Sequence, residues 1–234
     1  EILRCLVGSE MCIRDRFYSS YLSTYVERDV RELSGNVDAL KFNRFVTAVA
    51  ARCSQLLNYN ALAEDADIDI QTSKAWINIL ETLGIIFLLH PYSNNVLKRT
   101  IKTQKVYFYD TGLVCYLTRW SSPEVAESGA MSGALLENYT VSEIMKSYQN
   151  AGLEPYLYFY RDRDAKEIDV ILEGDGKLCP LEIKKTATPD KRLTRVFKVI
   201  DKSPLQLGTG AVLCMADKFS AFDSNNLIVP IWMI

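Results

Sequence analysis

The stretch Lys166–Lys185, KEIDVILEGDGKLCPLEIKK, constrains the chain most, because Asp175-Gly176 is a two-residue hairpin turn signal between two runs of alternating apolar residues. With the turn at 175 and 176, facing residues have numbers that sum to 351. Leu172 then meets Cys179, Val170 meets Leu181 and Ile168 meets Ile183 on one apolar face. On the other face Asp169 meets Glu182 and Glu167 meets Lys184. Two carboxylates directly across a ladder have Cβ atoms about 5 Å apart, and like charges so placed repel. A compensator is needed. A divalent cation such as Mg²⁺ suits hard carboxylate oxygens, since Mg²⁺ takes one or two carboxylates and keeps several waters. Lys184, two residues after Glu182, is the alternative compensator. Asp169 and Glu182 are therefore the candidate metal ligands of the hairpin, with Lys184 on the same face beside them.

The helix-forming segment before the hairpin, GALLENYTVSEIMKSYQ, supplies a third carboxylate. Val141, Ile144 and Tyr148 form an apolar stripe whose preceding member is Glu137. A carboxylate in an apolar stripe breaks the binary pattern, and such breaks concentrate at functional positions. A first-turn glutamate favoured by the helix dipole is the competing reading. Glu143, off the stripe, reads as solvated. Arg161, Arg163 and Lys166, near the turn before the hairpin, read either as a solvated charge run or as contacts to a phosphate backbone.

Upstream, residues 17–33 read as a helix whose aromatic side, Phe17, Tyr18, Tyr21 and Tyr25, needs a partner that the chain itself is not certain to contain. Ser34-Gly35-Asn36 breaks it. A second helical pattern runs from about 38 to 57, a short helix covers 60–66, a turn 67–70, and a longer helix 71–83 with Gly84 at its exit. Strands follow at Ile85–Leu89 and Val106–Tyr109, joined by the basic loop NNVLKRTIKTQK. Helix-turn-helix followed by a two-stranded wing is the pattern of a winged helix over residues 38–118. On a DNA-contacting reading, Gln71, Thr72, Lys74 and Asn78 lie on the longer helix, and Lys98, Arg99, Lys102 and Lys105 lie where a wing touches phosphates. The same module serves equally as a protein-docking or spacer element.

A Ser-, Glu- and Gly-rich segment at 119–133 marks the boundary to the second domain. Beyond it come a helix at 133–149, strands at 156–161, 167–172 and 177–184, a helix at about 190–201, and strands at 210–215 and 227–234, an α/β layer pattern. The predicted fold class is α+β, with the winged helix followed by an α/β domain around a mixed central sheet. Near-balanced charge, 27 Lys plus Arg against 29 Asp plus Glu, provides no global attraction to DNA or anionic membrane, so any nucleic-acid contact is local. His90 is the one histidine, which excludes a His-rich metal site, and six cysteines without a C-x-x-C pair read as buried free thiols. No apolar run approaches the roughly 20 residues of a membrane helix, and the chain reads as cytoplasmic with no membrane partner. No G-x-x-x-x-G-K-[ST] occurs, so no phosphate-binding loop for ATP lies in these 234 residues.

The first 16 residues, EILRCLVGSEMCIRDR, resemble translated sequencing-adapter read-through and read as non-native, so the native chain is expected to begin upstream. Glu137, Asp169 and Glu182-Ile183-Lys184 together resemble the PD-(D/E)XK restriction-endonuclease-like core. The strings YLSTYVERDVREL, TLGIIFLLHPY, KVYFYDTGLVCYL, GALLENYTVSEI, EIDVIL, LEIKK and PIWMI resemble the C-terminal region of prokaryotic AAA+ family ATP-binding proteins over residues 17–234. This resemblance implies that residues 17–37 join to an upstream AAA+ domain, which alone would bind ATP, and that residues 119–234 form the nuclease-like domain. It implies that Asp169 and Glu182 coordinate Mg²⁺, that Glu137 completes the shell or holds a water, and that Lys184 orients the attacking water. The function expected is nucleic-acid handling, with DNA as partner and metal-dependent phosphodiester hydrolysis. The alternative is a non-enzymatic protein- or DNA-docking module with a degenerate nuclease fold.

Overall fold

The computed structural model describes residues 11–35, 37–93, 103–162 and 164–234. Two compact units are present, one comprising Glu1–Leu88 with Val106–Asn138 and the other Leu89–Lys105 with Tyr139–Ile234. The divisions fall inside secondary structure rather than in the segment 119–133. That segment contains a short helix of its own, because Ser122 caps it and Pro123 supplies a preset φ at its first turn.

The first unit is mostly helical. A continuous helical stretch comprises α1 (Met11–Tyr21), a π-helical turn (Leu22–Val26) and α2 (Glu27–Ser34). It includes residues 11–16, and the Arg14 guanidinium donates to the Trp120 carbonyl at 3.1 Å. Its apolar side is partnered within the unit: Tyr18, Leu22 and Val30 are buried in the same core as Phe42, Phe45 and Trp76. Three helices follow, α3 (Ala39–Ala50), α4 (Tyr59–Ala66) and α5 (Ile70–Thr82), each started by an Asx cap at Asp38, Asn58 and Asp69. Trp76 on α5 meets Phe42 and Phe45 of α3 edge-on, with centroids 5.2 and 5.3 Å away.

Helix α3 ends seven residues before the apolar periodicity suggests. Cys53 and Leu57 are indeed buried, but Ser54 adopts φ +63° and its N–H bonds the Val106 carbonyl at 2.8 Å, so the chain leaves the helix to pair with a strand. The strands β1 (Ile86–Pro91) and β2 (Lys105–Phe108) come next, then α6 (Thr111–Leu117), α7 (Pro123–Ser128) and α8 (Ser132–Asn150). Buried Asn138 holds β2 in place: its side chain accepts from Phe108 N–H at 2.8 Å and donates to the Phe108 carbonyl at 3.1 Å and the Thr111 hydroxyl at 2.8 Å.

The second unit is built on a mixed sheet. After α8 come β3 (Leu157–Arg161), β4 (Glu167–Gly174), β5 (Lys177–Lys184), a 3₁₀ helix (Lys191–Lys202), β6 (Gln206–Leu207), β7 (Gly210–Cys214), β8 (Ser220–Asp223) and β9 (Asn226–Pro230). The end of β1 pairs in parallel with β3, β3 and β4 pair antiparallel, as do β4 and β5, while β5, β7 and β9 run parallel. Strand β8 returns antiparallel on β9, and β6 lies alongside β5. The short β6 and β8 carry too little apolar alternation to be read from sequence, and the final strand ends at Pro230 rather than running to 234. Pro180 interrupts no ladder, because it falls where the neighbour of β5 changes from β6, paired through Leu178, to β7, paired from Leu181.

Cys53, Cys115, Cys179 and Cys214 are free thiols. Burial is the main cause that pushes the Cys53 thiol up to about 12 and the Cys115 thiol up to about 11. Alkylation of the folded protein at pH 8 should therefore leave Cys53 and Cys115 unmodified and label both after denaturation; modification of either in the folded state, located by peptide mass spectrometry, would contradict this packing.

Candidate functional site

The hairpin turn forms as its residue types dictate. Asp175 and Gly176 have φ +50° and +73°, the paired left-handed geometry that matches the twist of the flanking strands. Pairs Gly174–Lys177, Glu173–Leu178, Leu172–Cys179, Ile171–Pro180 and Val170–Leu181 all keep the predicted register.

The ladder stops there, and the expected pair Ile168–Ile183 is replaced by a side-chain contact. The Asp169 Oδ2 accepts from the Ile183 N–H at 2.8 Å. The cause lies on the other edge of β4. Tyr158 pairs with Ile171 but Tyr160 pairs with Ile168, so Asp169 and Val170 together oppose Phe159, one extra residue in β4. This bulge turns Ile168 to the same cluster as Ile171, Leu178, Phe197 and Ile200, rather than to the face of Val170 and Leu172. The predicted face assignment thus holds for the turn end of the hairpin and fails at its open end.

At that open end the chain gathers three of the predicted site residues. Asp169 and Glu182 are 6% and 7% exposed. Lys184 Nζ lies 2.8 Å from Glu182 Oε1 and 3.6 Å from Asp169 Oδ2, so one ammonium serves both carboxylates. Glu182 and Lys184 are held along β5 by parallel pairing with Val212 and Cys214 of β7. The expected contact of Glu167 with Lys184 is absent, because Glu167 is taken by Lys105 at 2.6 Å and Arg161 at 2.9 Å.

The other predicted residues are placed as follows. Glu137 belongs to the first unit, where the hydroxyl of fully buried Tyr107 donates to its Oε1 at 2.7 Å. A buried phenol needs an acceptor, which accounts for a carboxylate in the apolar stripe. Glu143 is not simply solvated, since Lys146 pairs with it. Gln71, Lys74 and Asn78 lie on the exposed side of α5, and Lys74 Nζ sits 5.9 Å from the centroid of the Tyr59 ring. Thr72 is instead engaged in the helix cap, its hydroxyl donating to Asp69 at 2.6 Å. Lys105 is no wing cation: it is 3% exposed, paired with Glu167 and 5.6 Å from the centroid of the Phe159 ring. Lys98, Arg99 and Lys102, like Arg163, lie outside the described residues.

The donor set can be tested for a metal. Two buried carboxylates already converge on a single cationic centre, the Lys184 ammonium, which marks a position where a divalent ion would find two anionic oxygens. Among the described residues no group of three or more His, Cys, Asp or Glu side chains gathers as an ion cage. Asp169 and Glu182, two hard oxygen donors, are the residues that could hold a divalent ion such as Mg²⁺ at that position.

Residues 9–124 match the model of one domain of unknown function, DUF8612, and residues 132–234 match that of a second, DUF4143. The interval between the matches falls inside the segment 119–133. DUF4143 is usually part of AAA-type ATPase proteins. Two curated relatives, Uncharacterized protein Mb2031c of Mycobacterium bovis and Uncharacterized protein Rv2008c of Mycobacterium tuberculosis, are each 29% identical over 211 residues, covering 90% of this chain and 46% of the relative. The chain spans less than half the length of the curated relatives it matches. No solved structure matches it. No helix among the described residues is long and apolar enough to cross a membrane.

The shared ammonium makes a measurable prediction. Replacing Lys184 by Ala leaves two buried carboxylates without this counter-charge, and stability at neutral pH should fall by about 1 kcal/mol, a modest loss because the Lys184 side chain is 42% exposed and screened by solvent. Urea midpoints of Lys184→Ala and Lys184→Met, compared at pH 7, check this. The methionine keeps the stem and loses the charge, so it should show a similar deficit; full stability in Lys184→Met would mean that Lys184 acts through packing alone.

Proposed function

We propose that this chain handles nucleic acid and that its second unit, a restriction-endonuclease-like domain, hydrolyses phosphodiester bonds with a divalent metal. The observation that carries the reading is the convergence of buried Asp169 and Glu182 on Lys184 at the bulged end of the β4–β5 hairpin. Asp169 and Glu182 would hold Mg²⁺, which when bound supplies charge compensation at a phosphoryl oxygen. The Ile183 N–H fixes the Asp169 carboxylate, and Lys184, far more exposed than either carboxylate, orients the attacking water or bonds a phosphate oxygen. In the first unit, the order α3, α4, α5, β1, β2 supports a winged helix, with Gln71, Lys74 and Asn78 exposed on α5 as DNA contacts. The match to DUF4143 supports a AAA+ domain as the partner within a longer protein, the part that would bind ATP.

A second reading is favoured by the ion pairs themselves: Lys184 already neutralises part of the carboxylate pair, as in a docking module that has no metal. Calorimetric titration of the intact chain with Mg²⁺ or Mn²⁺, alongside cleavage assays on single- and double-stranded DNA, separates the two. The nuclease reading expects metal binding that Asp169→Asn weakens, and cleavage that Asp169→Asn and Lys184→Ala each lower by about 100-fold or more. No divalent-ion binding, or cleavage undiminished in both variants, would leave the docking reading standing.

A further inference from the structure

The 3₁₀ helix Lys191–Lys202 presents a row of cations that the carboxylate site does not use. In a 3₁₀ helix side chains three residues apart eclipse, so the segment sorts into three rows. Thr194, Phe197 and Ile200 are buried, Leu193, Val196 and Val199 are half-buried, and Arg192, Arg195 and Lys198 are exposed. A rise of about 2 Å per residue spaces the exposed cations about 6 Å apart in a line. An α-helix would rotate the same three residues away from one another.

This row borders a cavity of about 490 Å³ in the second unit, whose other wall includes Gly208, Gly210, Asp223 and Asn225. The close walls require the glycines. A Cβ on Gly210 would fall 2.7 Å from the Phe197 ring, and one on Gly208 would fall 2.5 Å from Cys179 Sγ. Some of the charge is neutralised internally. Lys191 pairs with Asp223 at 2.9 Å and, together with the Asn225 N–H, holds that carboxyl well below the usual range. Arg192 pairs with Asp190 at 2.7 Å, and Arg195 adds a weaker pull on the same carboxylate. Neither Arg195 nor Lys198 makes a salt bridge among the described residues, and both are exposed beside the cavity on a chain whose net charge is −2.

We infer that this cavity and its cation row form a track for the phosphodiester backbone of a nucleic-acid strand, with Arg195 and Lys198 contacting successive phosphates. The inference rests on the nucleic-acid reading above and adds a binding surface to it. Even linear spacing favours a polymer with regularly repeated phosphates over a single anion. A base stacks best on an aromatic ring, and among the described residues the one such ring in the lining, Phe197, is buried against Gly210.

Fluorescence anisotropy of a labelled oligonucleotide with the intact chain, over a series of KCl concentrations, tests the track. The double substitution Arg195→Ala/Lys198→Ala should weaken binding by on the order of tenfold or more and make the log–log salt slope shallower by about 1.4 to 1.8, the share of two phosphate contacts. Arg195→Lys/Lys198→Arg should retain both. Unchanged affinity and slope in the alanine variant would overturn the track while leaving metal-dependent cleavage to stand or fall on Asp169→Asn. Displacement of the bound oligonucleotide by inorganic phosphate or a mononucleotide at concentrations no higher than that at which the oligonucleotide half-saturates the chain would reassign the cavity to a small ligand. No oligonucleotide binding by the unsubstituted chain would remove the track and the nucleic-acid reading together.

Discussion

The second unit turns on one hydrogen bond, from the Ile183 N–H to the Asp169 carboxylate, because it is where a side chain replaces the backbone ladder. A β-strand alternates faces every residue, so an uninterrupted β4 would keep Ile168 with Val170 and Leu172. The extra residue opposite Phe159 breaks that alternation and places Ile168 in the cluster with Phe197 and Ile200. The strand's open end then has an N–H on β5 that a carboxylate accepts. A backbone donor positions the acid more firmly than a rotamer preference alone, which is how a site gains rigidity from its scaffold. Bulges recur beside active sites for this reason.

The legible part of this arrangement is its local part. Asp175-Gly176 specifies a turn by its own φ preferences, and the register that follows from it holds through Val170–Leu181. The bulge is set by pairing with β3, which begins ten residues before β4, and nothing within EIDVIL distinguishes a bulged from a regular strand. The same division explains the end of α3. Apolar spacing at Cys53 and Leu57 reports burial correctly, but burial there is reached through a left-handed Ser54 and pairing with Val106, not through further helical turns. Lys105 shows the limit for charge: a lysine at the end of a basic loop looks solvated until Glu167, more than sixty residues later, arrives beside it.

Two strings that carry the family resemblance meet one another inside the first unit. Tyr107 donates to Glu137 and Asn138 binds Phe108 at both backbone atoms, while Asp110, which caps α6, accepts from Tyr18 at 2.8 Å. The polar letters of KVYFYDTG and GALLENYT therefore include a structural network, in which each buried group has a partner. A polar residue in an apolar stripe signals that something must be satisfied. At position 137 a phenol meets that need, whereas at 169 and 182 the demand is met by a cation.

Those two outcomes differ in what can be exchanged. Tyr107 is fully buried, and its hydroxyl donates to Glu137. The carboxylates of Asp169 and Glu182 are also buried, but their counter-charge is on a lysine with two-fifths of its side chain in solvent. Desolvated ion pairs contribute little net stability, so replacing this cluster with apolar side chains of similar volume would cost the fold little. The cluster is asymmetric: the two carboxylates are buried on paired strands, whereas the ammonium that serves both is on the most exposed side chain of the three.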